Sequence, residues 1–411
     1  MPEVAQSQLA RGMRDLLPAE MRRVRRIEDA FTRTCLRWGY GEIRTPVIEP
    51  IHLFTAAGTL SPQTLDRVYS FLDWDGWSGE RVVLRPDSTI PAARLYAERF
   101  PPGSVARLFY RQDIFRFAED DSAREEWQCG VELMGETGRR GDIELIFLAL
   151  DALAEAGAAG VVVRLSHAGI VRAVLAAAGM PAEAQAAAYD RLLDGDGKVV
   201  DEIEARLPQL NAPLRLLFDV DGAGSGYIAN IRAALAAEIP GLTPALDELA
   251  AVVAALEARG VAPRISAALA RRFEYYSGIV MRFERDGRRI GGGGRYDELI
   301  ALVGGRRVPA SGFALDIGAL LDATAPGDDE RAVRISVTAE ADSPEMIAAA
   351  YDCAAELRRA GFAVDTIDEG RDGAPCVVCR PSRPRFVLRH GGSERAFEGA
   401  AELMAALEHV R

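Results

Sequence analysis

At 411 residues the chain is longer than one hydrophobic core supports, so two or three domains are expected. Hydrophobic residues at 49% and charged residues at 27% exclude a disordered chain, and a net charge of -12 argues against a protein devoted to neutralising a phosphate backbone. No apolar run is long enough to span a membrane, the start Met1-Pro2-Glu3-Val4-Ala5-Gln6 carries no basic stretch before an apolar one, and the five cysteines are too scattered for a disulfide framework; a cytoplasmic protein is expected.

Val24, Ile27, Phe31 and Cys35 recur at helical spacing and predict a first helix that ends near Gly39. Extended structure follows, with Val82 to Leu84 and Leu108 to Tyr110 as strands, before Ile143, Ile146, Phe147 and Leu150 mark another helix. From about Gly169 to Gly260 the sequence turns alanine-rich and helix-periodic, broken by prolines, and reads as a helical insertion. Strand character returns at Ile279 to Met281 and at Ile290, on either side of Arg285-Asp286-Gly287, a hairpin turn by composition.

Ala325 to Glu330 has the composition of a linker, and residues 331–411 alternate strand-like and helix-like runs as a small α/β domain. Eleven arginines against thirteen acidic residues leave that segment at -2, weak footing for an RNA-binding module. Cys376-Val377-Val378-Cys379 has the spacing of half a zinc site, but no second pair completes it, and a buried strand is the expected reading.

Two features of the motif-bearing stretches have a direct physical reading. Gln128 and Glu132 lie four apart, which in a strand puts both on one face with Val131 and Leu133 on the other; that polar face suits a pocket wall or, more plainly, solvent. The run Gly291-Gly292-Gly293-Gly294 is followed by no lysine, so it is not a phosphate-binding P-loop, and its glycines are expected to let backbone approach a ligand or a neighbouring strand.

Four segments together resemble the histidyl-tRNA synthetases, members of the class II aminoacyl-tRNA synthetases. Trp38-Gly39-Tyr40 with Ile43 to Pro46 and Glu49 resembles the dimer-forming motif 1. Phe115-Arg116, Arg124-Glu125 and Gln128 to Glu132 resemble motif 2. Arg271 to Gly278 and Gly291 to Asp297 resemble the two signatures peculiar to the histidine enzymes, and Leu84 to Thr89 also fits. The fold implied is α+β, an antiparallel sheet flanked by helices over residues 1–325, with the insertion at about 169–260 and the small α/β domain at 331–411.

Residue by residue, the resemblance assigns a histidine pocket to Asp87, Thr89, Gln128, Glu132, Tyr276 and Tyr296, with Tyr275 beside them. Asp87 suits the α-ammonium, Glu132 and the tyrosine hydroxyls suit imidazole nitrogens, and Arg116 or Arg271 suits the carboxylate.

The pattern departs from the family where ATP would be held. The Glu-Arg pair of motif 3 falls on Gly318-Ala319, so a cation for the phosphates is gone, and the motif 2 loop brings Glu119, Asp120 and Asp121 where attraction is needed. Glu274 replaces the family's Asp. A retained amino-acid pocket without ATP machinery implies sensing rather than catalysis. The chain, with Leu165 to Gly169 included, most resembles the synthetase-like regulatory subunits that partner the short-form ATP phosphoribosyltransferase catalytic subunit. The resemblance implies a non-catalytic, cofactor-free, dimeric subunit with histidine as ligand and no nucleic acid. A working histidyl-tRNA synthetase and a stand-alone amino-acid sensor are the competing readings.

Overall fold

The computed structural model describes residues 8–57, 68–74, 79–117, 123–135, 138–193, 195–267, 269, 276–304, 306–324, 334–366 and 374–409. The chain divides into two compact units, Met1–Ala325 and Pro326–Arg411.

In the first unit, α1 (Pro18–Arg37) starts with proline at its first position, where no N–H is needed, and Glu20 accepts the Leu17 amide at 3.1 Å. Val24, Ile27, Phe31 and Cys35 form its buried stripe, and the chain leaves it through Gly39 at φ 80°. Strands β1 (Gly41–Glu42) and β2 (Ile48–Pro50) and the short α2 (Ile51–Ala56) lead to β3 (Ser70–Trp74) and β4 (Gly79–Leu84), which with β2 make a three-stranded antiparallel sheet. Helix α3 (Thr89–Arg99) follows, then the long antiparallel pair β5 (Ala106–Phe115) and β6 (Glu125–Met134), and α4 (Arg139–Glu155).

After β7 (Val162–His167) come α5 (Ala168–Ala177), α6 (Ala182–Leu193), α7 (Lys198–Arg206), α8 (Asn211–Asp219), α9 (Gly224–Leu235) and α10 (Leu242–Glu257), as the alanine-rich stretch predicted. The insertion is not purely helical: β8 (Gly222–Ala223) and β9 (Arg264–Ile265) pair with each other, and β9 joins β7. It also shares the main core, since Ile170, Val174, Leu246, Leu249 and Val253 belong to the same apolar cluster as Leu165 and Met281.

Strands β10 (Ile279–Arg285) and β11 (Arg288–Arg295) form the expected hairpin. Asp286 (φ 50°) and Gly287 (φ 76°) are both left-handed at its turn, as a two-residue loop requires. Helix α11 (Leu299–Gly304), β12 (Ala310–Asp316) and α12 (Ile317–Ala323) complete the unit. Among the described residues nine strands form one sheet in the order β1-β5-β6-β12-β11-β10-β7-β9-β8, antiparallel except for the β1–β5 and β7–β9 pairs. Strand β6 sorts its residues as its alternation demands. Cys129, Val131 and Leu133 enter the core under α1 and α4, while Gln128, Gly130 and Glu132 face the other way.

The second unit runs β13 (Arg334–Ala339), α13 (Pro344–Arg359), β14 (Ala363–Asp365), β15 (Cys376–Cys379), β16 (Phe386–His390), β17 (Ser393–Phe397) and α14 (Ala400–Glu408), in sheet order β14-β13-β15-β16-β17. The two cysteines of β15 are buried strand residues, and no group of residues among those described is placed to hold a metal ion. The linker-like segment before this unit and the acidic residues Glu119 to Asp121 lie outside the described residues. No helix among the described residues is long and apolar enough to cross a membrane.

Candidate functional site

Strands β6, β12 and β11, with the start of α3, surround a cavity of about 520 Å³. Six of the residues that the sequence singled out line it: Asp87, Thr89, Arg116, Gln128, Tyr276 and Tyr296. Arg271 and Tyr275 lie outside the described residues, as does Glu274.

Glu132 sits just beneath the cavity, fully buried. It accepts a hydrogen bond from Tyr110 Oη at 3.0 Å and another from the Tyr296 hydroxyl, and Thr89 reaches it as well. Burial pushes its pKa up to about 8, against the pull of those donors.

Glycines make this geometry. A side chain at Gly312, opposite Glu132 in β12, would begin 2.0 Å from Glu132 Oε2 and 2.7 Å from Tyr296 Oη. One at Gly130 would begin 2.4 Å from Tyr110 Oη, where the tyrosine crosses the strand to reach Glu132. At Gly293 the obstacle is the Gly312 carbonyl oxygen, 2.0 Å away. The glycine run therefore serves close approach of β11 to β12 and forms the cavity wall.

Asp87 ends the loop before α3 and accepts the Ile90 amide at 2.9 Å. Burial raises its pKa, opposed by backbone donors and by the Arg116 guanidinium. Arg116 Nε donates to the Pro86 carbonyl at 2.9 Å, and Nη1 lies 3.5 Å from Glu126, another lining residue. A carboxylate at one point, a guanidinium near it and a row of neutral donors suit a zwitterion with a polar side chain.

The other end of the cavity was not foreseen from sequence. The β10–β11 hairpin brings Arg288 and Arg289 to it, and Arg289 Nε donates to the Gly291 carbonyl at 3.3 Å. Asp316 accepts the Ala319 amide at 3.1 Å and so caps α12. Ala319, where motif 3 would place arginine, packs its methyl group on the main core. Tyr110 was also missed, because a tyrosine in an apolar run carries no signal until Gly130 is known to lie under it. His167 Nδ1 accepts the Gly169 amide at 3.0 Å and caps α5, while Nε2 faces Glu248 Oε2 at 3.1 Å.

Residues 12–320 match the family model described as histidyl-tRNA synthetase. A Dehalococcoides mccartyi protein named ATP phosphoribosyltransferase regulatory subunit is 44% identical over 367 residues, covering 89% of this chain and 88% of its own. One of the same name from Symbiobacterium thermophilum is 34% identical, covering 94% and 98%. Among solved structures, a Bacillus halodurans protein described as an ATP phosphoribosyltransferase regulatory subunit/histidyl-tRNA synthetase superposes with TM-score 0.77 at 25% identity, over 92% of this chain and 100% of that one. The histidyl-tRNA synthetase of Nostoc sp. PCC 7120 superposes over 100% of both chains with TM-score 0.74 at 20% identity, a likeness of fold.

Proposed function

Because the chain belongs to the family of ATP phosphoribosyltransferase regulatory subunits, non-catalytic proteins built on the histidyl-tRNA synthetase fold, we propose that it binds free histidine in the cavity between β6, β11 and β12 and passes that signal to a separate, short-form catalytic subunit. In this reading it works in the cytoplasm as a dimer, at the first step of histidine biosynthesis, and relays feedback by the end product. Asp87 meets the α-ammonium, Arg116 the carboxylate, and Gln128, Tyr276, Tyr296 and Glu132 the imidazole, with Thr89 beside Glu132. Arg271 and Tyr275 are assigned to the same pocket from their motif.

One observation supports the reading: Asp87, Thr89, Arg116, Gln128, Tyr276 and Tyr296 line one cavity, while position 319 offers a core-packed methyl group where a synthetase needs a phosphate-binding cation. An active synthetase has no such trade to explain. Calorimetric titration of the purified chain with histidine tests it. Saturable binding of histidine, with histidinol and other amino acids much weaker, is the expected result, together with co-purification of the phosphoribosyltransferase from the native cell. Absence of histidine binding would remove the pocket from the reading.

A further inference from the structure

A buried charge network behind the tyrosine wall of the cavity joins that wall to the helical insertion. Arg295, 8% exposed, lies between the glycine run and Tyr296. Its guanidinium is ion-paired with the fully buried Asp142 of α4, which also accepts the Ser311 hydroxyl at 3.0 Å. Its Nη1 turns the other way and donates to Glu248 Oε2 of α10 at 2.9 Å. The same oxygen meets His167 Nε2 at 3.1 Å, and because His167 Nδ1 already accepts the Gly169 amide, the neutral ring carries its hydrogen on Nε2 and donates it to Glu248.

The backbone repeats the link. The Arg295 carbonyl accepts the Ser277 amide at 2.7 Å, next to Tyr276, and the Tyr276 carbonyl accepts Arg172 Nη2 of α5 at 2.7 Å. The insertion thus holds the Tyr276 backbone directly, through Arg172, and reaches Tyr296 through the adjoining Arg295. The two carboxylates on Arg295 differ in kind: Asp142 is inaccessible and anchors the guanidinium inside the core, whereas the Glu248 side chain keeps 41% of its surface exposed and comes from an element outside the cavity. Losing Glu248 leaves Arg295 paired with Asp142 through Nε and Nη2, so the fold survives while the tie from α10 to the residue that leads into Tyr296 is cut.

We propose that Glu248 is a positioning residue, through which the helical insertion holds Tyr296 and Tyr276 in the geometry that accepts the ligand. Ligand binding and the seating of α10 are then coupled, and by reciprocity a bound ligand tightens the insertion. The inference rests on histidine occupying the cavity, but its first test does not.

Hydrogen exchange of the ligand-free chain reads the positioning directly. In Glu248→Ala the Ser277 and Tyr296 amides, bonded to the Arg295 and Ala310 carbonyls, are expected to exchange roughly tenfold faster with α1 unchanged. Glu248→Gln, which keeps an acceptor for Arg295, recovers most of the protection, and stands in if the alanine variant does not fold, with a smaller rise at the same two amides. Histidine binding is expected to weaken roughly tenfold in Glu248→Ala but much less when Tyr296→Phe is already present, because both changes disable one unit. Unchanged exchange at Ser277 and Tyr296 overturns the proposal, and so do additive effects of the two substitutions on binding. Faster exchange in a protein that binds no histidine supports the positioning role and overturns the histidine reading alone.

Discussion

Tyr110 donates its hydroxyl hydrogen to Glu132 at 3.0 Å by crossing the bare backbone of Gly130, so the carboxyl at the base of the cavity is fixed by a residue outside it. The same carboxyl accepts the Tyr296 hydroxyl from the cavity wall. Its orientation is therefore set before any ligand arrives, and binding spends little on ordering it.

That arrangement predicts a pH signature. Burial raises the Glu132 pKa to about 8 in the folded protein. A group whose folded pKa is raised contributes stability that is complete below its unfolded pKa and is lost as the pH climbs through the folded one. Glu132→Gln stays neutral throughout, so wild type should lose on the order of a few kcal/mol relative to that variant between pH 5 and 8. Urea unfolding of both proteins across that range measures it; a constant difference would place the proton elsewhere.

Gly312→Ala should close the site. Its methyl carbon would begin 2.0 Å from Glu132 Oε2 and 2.6 Å from the Val131 carbonyl, in a strand paired on both sides, so the neighbours cannot simply withdraw. A cost of about 1–3 kcal/mol in stability is expected, with histidine binding lost. Gly103→Ala, in the exposed turn before β5 where φ is 77° and nothing crowds a side chain, is the control for backbone strain: it should lower the melting temperature and leave binding measurable.

Much of this site was legible in the sequence, and the reason is chemical. Asp87, Thr89, Arg116, Gln128, Tyr276 and Tyr296 stand in short motifs whose spacing survives folding, and the alternation of β6 put Gln128 and Glu132 on one face. What stayed hidden depends on contacts between distant segments. Tyr110 meets Glu132 only because β5 and β6 pair in one register. Arg289 reaches the cavity because a two-residue turn aims it there, and Glu248 reaches Arg295 across 47 positions. The insertion read as helical because its period is 3.6; β8 and β9 are two residues each, too short to show a period of two.

The chain should neither form histidyl-adenylate nor charge tRNA. The Ala319 amide is committed to capping α12 and its methyl group to the core, so nothing at that position meets a phosphate. Histidine-dependent exchange of pyrophosphate into ATP should match a no-protein control, and any rate above it would return the chain to the synthetases.

Dimerisation through residues 38–49 is the expectation carried by motif 1. In that segment Glu49 is buried and paired with Arg94 at 2.8 Å within the same chain, whereas Val47 and Ile48 are exposed apolar residues that a symmetric contact would cover. Sedimentation at micromolar concentration should give a dimer for wild type and a folded monomer for Ile48→Asp. A monomeric wild type would refute the interface.

Glu132→Ala separates sensing from assembly. The substitution removes a fully buried carboxyl that faces the cavity through Tyr296 and lies inside the sheet, so the outer surface available to a catalytic subunit is unaltered. In the proposed reading the ligand then loses the carboxyl that orients the Tyr296 hydroxyl and accepts from the imidazole, at a cost of about 1.5 to 3 kcal/mol, or roughly ten- to hundredfold in affinity. An inhibitor shifts a partner's active site only by its differential affinity for two states of the complex, so the inhibition curve should move to higher histidine by a similar factor. Phosphoribosyl-ATP formation against histidine concentration, with gel filtration of each complex, supplies both readings. Tyr110→Phe is the companion variant: it removes one donor from Glu132 without touching the cavity lining, and should shift the curve less. An unshifted curve in an intact Glu132→Ala complex would place the histidine that controls the enzyme outside this cavity.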